Sequence, residues 1–238
     1  MWDIKGGEGQ LSGDSGRRLA EVAFDAIKRA IIRCDVEPGS RVTEAQLAER
    51  FAVGRAAART ALHRLAQAGL LQVMPRQGYR VAPVTVKDVN DLFGVRLLLE
   101  PAASRLAAGR LDRQASRRLR ELCQASYLLG DRESAVAFLR ANSELHVTIA
   151  RASGNDRLAR LVADLLDDME RLFHLGLMQR DRNEEMYHEH QELVEALEAG
   201  DGERAERITA EQLRAAQKMV MDGLLSNPSV QSAILAAP

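Results

Sequence analysis

The side chains best suited to chemistry in this chain are arginines and histidines, and they fall into two sets. Arg55, Arg59 and Arg64 lie in a segment whose alanines and leucines recur at helical spacing, and Arg76 follows in a turn between two short β-type runs. Guanidinium forks on one helix match phosphate oxygens and the acceptor edges of bases, and a protruding hairpin reaches the adjoining backbone. A solvated basic face would use the same residues; the order helix, turn, helix, hairpin is what favours nucleic acid. In the second set, Asn142 and His146 are four residues apart, so they leave one helix face a turn apart, and His190 lies on a later helix. Imidazoles are strong donors to zinc or nickel, whereas an amide oxygen is a weak, neutral ligand. Arg96 precedes Glu100 by one turn. It can receive a ligand carboxylate bidentately or close an ion pair with that glutamate. A metal-dependent hydrolase or lyase using His146 and His190 is the alternative from another class. It lacks a general base beside them and a nucleophile motif such as G-x-S-x-G.

Elements must hold these groups in place. Thr43 with Gln46 three residues on is a capping-box pattern, opening a helix whose apolar side is Leu47, Ala48 and Phe51. Ala52, Val53 and Gly54 make a turn, with Gly54 expected to absorb its backbone angles. A second helix runs from Arg55 to about Ala68, with Ala58, Ala61, Leu62 and Leu65 inward and Gly69 as cap. Leu70 to Val73 and Tyr79 to Ala82 read as the strands of a hairpin with Arg76 at its tip. Upstream, Leu19, Val22, Ala23, Ala26, Ile27, Ala30 and Ile31 form a helical stripe that ends before Pro38-Gly39. Downstream, Leu92, Val95, Leu98, Leu99, Ala102 and Leu106 mark the expected buried side of the next helix, starting near Lys87 or Asp88. Further helices are expected at about 112–129, 131–152, 156–179, 182–199 and 202–225, separated by Gly130, Gly154-Asn155 and Gly200-Asp201-Gly202.

The expected class is mostly α: an N-terminal winged helix-turn-helix plus a C-terminal all-α antiparallel helical bundle. Aromatics at 4% and a predominance of Ala, Leu, Arg and Glu favour helix over sheet, and 46% hydrophobic residues suffice for a packed core. The expected division is a disordered tail at 1–14, a DNA-binding domain at 15–83, a linker at 84–87, a helical domain at 88–226 and a flexible tail at 227–238. Residues 15–83 hold 12 Lys and Arg against 6 Asp and Glu, net +6, whereas residues 84–238 hold 20 against 25, net −5. The first half suits phosphates and the second does not. There is no apolar run of about 18 residues to span a bilayer, and the polar, glycine-rich start is unlike a signal peptide, so a cytoplasmic protein is expected. Cys34 and Cys123 stand alone, without C-x-x-C pairing, and read as packing residues.

Taken in order, Glu44-x-x-Leu47-Ala48, Val53-Gly54-Arg55, Arg59-x-Ala61-Leu62-x-x-Leu65, Gly69-Leu70 and Gly78-Tyr79-x-Val81 resemble the GntR superfamily of regulators. Arg96-x-x-x-Glu100, Asn142-x-x-x-His146, Gly154-Asn155, Glu189-His190 and Ala196-x-x-Ala199-Gly200-Asp201 resemble the FCD effector domain of its FadR-like branch, in the six-helix form. The resemblance implies that Arg55 and Arg59 contact DNA and that the wing around Arg76 and Gly78 reaches the minor groove; Thr43 and Arg64 are expected on the same DNA-binding face. Gly54 stands where the family usually has Ser or Thr, so a phosphate-contacting hydroxyl is missing. It further implies an effector site of Arg96, Asn142, His146, His190 and Gln212 that receives a small carboxylate. The positions matching Asn142, His146, His190 and Gln212 commonly hold Asp, His, His and His around a divalent cation. With two amides in place of an anion and an imidazole, the expectation is a weakened zinc or nickel site at His146, His190 and Asn142, or a pocket that bonds a ligand directly. The implied function is a ligand-responsive transcription regulator, a repressor, that binds a palindromic operator as a homodimer and is not an enzyme.

Overall fold

The computed structural model describes residues 8–177 and 181–226, and the chain divides into two units after Pro83. The first begins with α1 (Glu8–Ile32), then β1 (Arg41–Val42), α2 (Glu44–Arg50), α3 (Arg55–Gln67), β2 (Leu71–Met74) and β3 (Gly78–Val81). The three strands form an antiparallel sheet in the order β1-β3-β2. Ala23, Ile27 and Ile31 of α1 pack with Leu47, Ala61, Leu62, Leu65, Leu71, Tyr79 and Val81 in a single core. Leu19 and Val22, expected in the α1 stripe, are exposed. Residues 8–14, expected in a disordered tail, form the first turns of α1. Once a helix is fixed by packing, each added residue gains a hydrogen bond without a new nucleation cost. Residues 1–7 and the expected tail at 227–238 lie outside the described residues.

Thr43 caps α2 as its sequence indicates: its hydroxyl accepts from the Gln46 amide, and the Gln46 side chain returns to the Thr43 amide at 2.9 Å. The turn into α3 corrects one expectation. Gly54 has φ −64, within reach of any residue, and the left-handed conformation falls on Ala52 at φ 51. The strain is placed where Ala52 N–H bonds Glu49 O and Val53 N–H bonds Ala48 O, closing the end of α2. The strand β1 was not anticipated, because two residues carry no periodicity.

The second unit contains α4 (Val86–Ala107), α5 (Arg113–Leu122), α6 (Arg132–Ala152), α7 (Asp156–Leu177), α8 (Asn183–Glu198) and α9 (Gly202–Ser226). The helix α4 packs mainly on α9 and also meets α6 and α7. It starts at Val86, inside the expected linker, because Thr85 and Asp88 form a second capping box that sets its first turn. The helix α5 ends at Leu122 rather than near 129: the Tyr127 backbone is claimed on both sides by Asn183, whose Oδ1 accepts at 2.9 Å and whose Nδ2 donates at 2.7 Å. The face of α4 is also rotated from the expected one: Leu92, Leu99 and Ala102 are half-buried. Val95, Leu98 and Leu106 are exposed, Leu98 at 75%, while Val89, Phe93, Arg96, Glu100, Ala103 and Ser104 are buried. Charges can point inward there because they meet partners from α4 itself and from α6.

Candidate functional site

In the first unit, α3 presents the sequence-predicted arginines in three different states. Arg55 occupies the first position of α3, exposed and without an ion pair among the described residues. A cation there opposes the helix dipole, so it contributes nothing to the helix and is free for an anion that the N-terminal amides also attract. Gly54 before it adds no side-chain cap, and a Cβ at Gly54 would meet open space. Arg59 is exposed, but its Nε lies 3.1 Å from Glu44 Oε2. Arg64 folds back on α1, stacking over the Phe24 ring at 4.2 Å with Nη1 3.5 Å from Glu21 Oε1. Arg76 sits exposed at the hairpin tip in a left-handed conformation, φ 62. Gly78 has a structural reason to be glycine: its φ is +88 and a Cβ would come within 2.6 Å of Val42 O. Thr43 is exposed beside this surface, with its hydroxyl already engaged in the cap. Arg41, not singled out from sequence, is exposed on β1 opposite Arg80.

The second unit brings Arg96, Asn142, His146, His190 and Gln212 together around one cleft enclosing about 330 Å³, part of it open to solvent. Phe173, Met186, Leu213 and Ala216 supply apolar wall, and Arg182 and Glu189 complete the polar lining. Two hydrogen-bonded clusters meet here. In the first, Glu100 takes Arg96 Nε on Oε1 and Nη2 at 3.1 Å on Oε2, and His146 Nδ1 at 3.0 Å on Oε2. Arg96 and Glu100 are only 1% and 3% exposed. Burial alone would push the Glu100 carboxyl up, but Arg96 and His146 outweigh it and hold it at about 2. An ionised carboxylate only accepts, so His146 presents a proton on Nδ1 to Glu100. Arg96 lies over Phe93 and Phe173, 5.4 Å from each ring centre, and its Nη1 is buried without a partner. Both readings of Arg96 are thus visible. The ion pair with Glu100 exists, and one nitrogen remains for a ligand instead of the bidentate fork.

In the second cluster, Arg182 binds Glu185 and Glu189 at 2.7 Å each, and Gln212 Nε2 donates to the Glu189 carbonyl at 2.5 Å. Gln212 Oε1 is left buried without a partner. Burial raises the Glu189 carboxyl although Arg182 opposes it. The His146 and His190 rings connect the clusters, edge to face at 5.9 Å. Burial pushes His190 down to about 3, with His146 and Arg182 adding to the effect, so it is a neutral imidazole at neutral pH. Asn142 is buried in the same lining. His188, two residues on from Met186, faces solvent.

These donors do not fit a tightly held zinc or nickel ion. Among the described residues no three His, Cys, Asp or Glu side chains are grouped to hold a metal. Both Glu100 oxygens are committed, the Glu189 carboxylate is held by Arg182, Asn142 and Gln212 offer only neutral amide oxygens, and two guanidinium groups line the cleft. Such a lining repels a cation and suits hydrogen-bond acceptors. Sequence reasoning missed Arg182, which stands at the N-cap of α8, outside the helical periodicity. The signal available was the spacing of Arg182, Glu185 and Glu189, at i, i+3 and i+7.

A winged helix with an unpaired arginine at the head of α3, joined to a helical unit with a polar internal cleft, defines a DNA-binding transcription regulator. The chain matches "Bacterial regulatory proteins, gntR family" over residues 19–81 and "FCD domain" over residues 91–215. It belongs to the GntR family and carries an FCD domain. It is 26% identical over 185 residues to the uncharacterized HTH-type transcriptional regulator YdhC of Bacillus subtilis, covering 77% of this chain and 83% of that one. It is 22% identical over 197 residues to the HTH-type transcriptional repressor RspR of Escherichia coli, covering 83% and 86%. Among solved structures, E. coli McbR/YncC superposes with TM-score 0.65 at 23% identity, covering 86% of this chain and 97% of that one, which shows the fold. The family and these relatives are transcription regulators, not enzymes. Among the described residues no helix is long and apolar enough to cross a membrane.

Proposed function

We infer that the protein is a cytoplasmic, homodimeric repressor whose hold on a palindromic operator is loosened by a small carboxylate bound in the cleft of the second unit. The observation that carries the effector site is the pair of buried, unpartnered polar atoms at one cleft, Arg96 Nη1 and Gln212 Oε1. A buried donor or acceptor without a partner costs about 1–3 kcal/mol, and a ligand that satisfies both recovers that cost. One ligand carboxylate oxygen accepts from Arg96 Nη1, and Asn142, His146 and the neutral His190 orient the remainder. No step requires a metal.

The exposed stripe Val95, Leu98 and Leu106 on α4 supports the dimer. Exposed apolar side chains on one helix face suit a protein contact, and a two-fold dimer predicts two-fold DNA. On the DNA side Arg55, Arg59 and Arg76 meet phosphates or base edges, with Thr43 and the Gly78 backbone beside them, and Arg64 joins only by leaving Phe24. Footprinting the full chain on DNA upstream of its own coding region tests the reading. Two protected half-sites, centred about one helical turn or a multiple apart, are expected for two chains bound. One protected half-site holding one chain contradicts it.

A further inference from the structure

The second cluster of the cleft has donors and acceptors of its own. Arg182 is 5% exposed, yet two of its nitrogens are held by Glu185 and Glu189, so its guanidinium is fixed in place before any ligand arrives. Arg182 lines the cleft, and among the described residues its bonds to Glu185 and Glu189 use Nε and Nη2 and leave Nη1 uncommitted. Beside it stand two acceptors, the Glu189 carboxylate and the stranded Gln212 Oε1, linked through the Gln212 bond to the Glu189 carbonyl. This end of the cleft therefore offers one donor and two acceptors. A ligand group that both accepts and donates matches it, while a second carboxylate would accept from Arg182 but face Glu189 and Gln212 Oε1 with lone pairs. The other end differs: the Arg96 charge is balanced by Glu100, and its Nη1 asks only for an acceptor.

We propose that Arg182, Glu189 and Gln212 form a second ligand-reading subsite, and that the effector is a small monocarboxylate whose far end both donates and accepts hydrogen bonds, as a primary amide does. The proposal rests on the effector reading above and sharpens it by fixing the chemistry of the ligand's second end. Arg182 Nη1 donates to the amide oxygen, and the amide N–H groups reach Gln212 Oε1 and the Glu189 carboxylate. The carboxylate end takes Arg96 Nη1.

Titration calorimetry of the full chain with succinate, succinamate and succinamide, and with glutarate, glutaramate and glutaramide, compares three charge states at two fixed lengths. At one of the two lengths the monoamide should bind on the order of tenfold tighter than its dicarboxylate. Arg182→Gln should erase that binding. Glu189→Gln keeps the backbone carbonyl that holds Gln212 and removes the repelling charge, so it should bring the two affinities together, and it serves if Arg182→Gln does not fold. Equal or tighter binding of the dicarboxylates, a preference unmoved by Glu189→Gln, or no binding by any of the six overturns the proposal. A monoamide that binds as described but leaves operator affinity unchanged would instead overturn the effector reading and leave the subsite standing.

Discussion

Replacing Glu100 by Gln removes the anion that two buried cationic or proton-bearing groups share. Arg96 would keep its charge at 1% exposure with only a neutral amide to face, and His146 Nδ1 would lose an ionised acceptor. Breaking one side of a buried pair costs about 3–5 kcal/mol. The carboxyl itself gives a consistent figure: its displacement from 4.5 to about 2 corresponds to about 3 kcal/mol at neutral pH. For a chain of this size each kcal/mol moves the melting temperature by about 2–4 °C, so a loss of about 6–20 °C is expected. Thermal denaturation of the full chain, followed by circular dichroism, reads it. The double variant Arg96→Met/Glu100→Met should lose less than Glu100→Gln alone, because no buried charge is stranded. A single variant within a degree of the parent, or a double variant equal to the sum of its singles, would refute the inward ion pair.

Acid should act on the same cluster. Glu100 is held below its ordinary 4.5, at about 2, so its contribution is complete above pH 4.5 and is lost as pH falls toward 2. His190 is held below its ordinary 6.5, at about 3, so the unfolded chain takes that proton first and stability also falls from pH 6.5 downward. Melting temperatures between pH 7 and 4 should decline steadily, and a flat profile would contradict the buried placements. Arg55→Ala should weaken operator binding and lower the salt slope by about 1 without destabilising α3; unchanged affinity removes Arg55 from the DNA face. Arg64→Ala should cost less in DNA binding than Arg55→Ala, since Arg64 is stacked on Phe24, and the reverse ranking in a gel-shift titration would reject that geometry. Gly223→Ala would place a Cβ 2.6 Å from Leu175 O. It should destabilise by about 1–3 kcal/mol, seen as a lower denaturant midpoint, and an unshifted midpoint would deny the close α7–α9 approach.

Local signals in the chain read well where the physics is local. The Thr43–Gln46 box, the α3 core positions and the Arg96–Glu100 spacing each involve residues three or four apart, and each is found as expected. The Thr85–Asp88 box was equally local and was overlooked because Pro83-Val84 read as linker. What failed depended on distant partners. Val95 and Leu98 look like core until Glu100 and His146 show which face of α4 turns inward. Ala52 carries the strain assigned to Gly54 because backbone bonds, not residue type, place it. The family resemblance named His190 and Gln212 for the cleft, and the lining includes both. Arg182 gave no such clue, since its role depends on Glu189 two turns away and on Gln212 of another helix.

The central claim is that occupation of the cleft governs the DNA-reading unit. The most direct test is titration of the full chain against its footprinted duplex at several salt concentrations, with and without the acid amide that binds most tightly. Operator affinity should fall by about 5- to 150-fold, a coupling of about 1–3 kcal/mol, with the salt slope intact because the same arginines still meet the phosphates. Identical affinity with the cleft filled and empty would contradict the account.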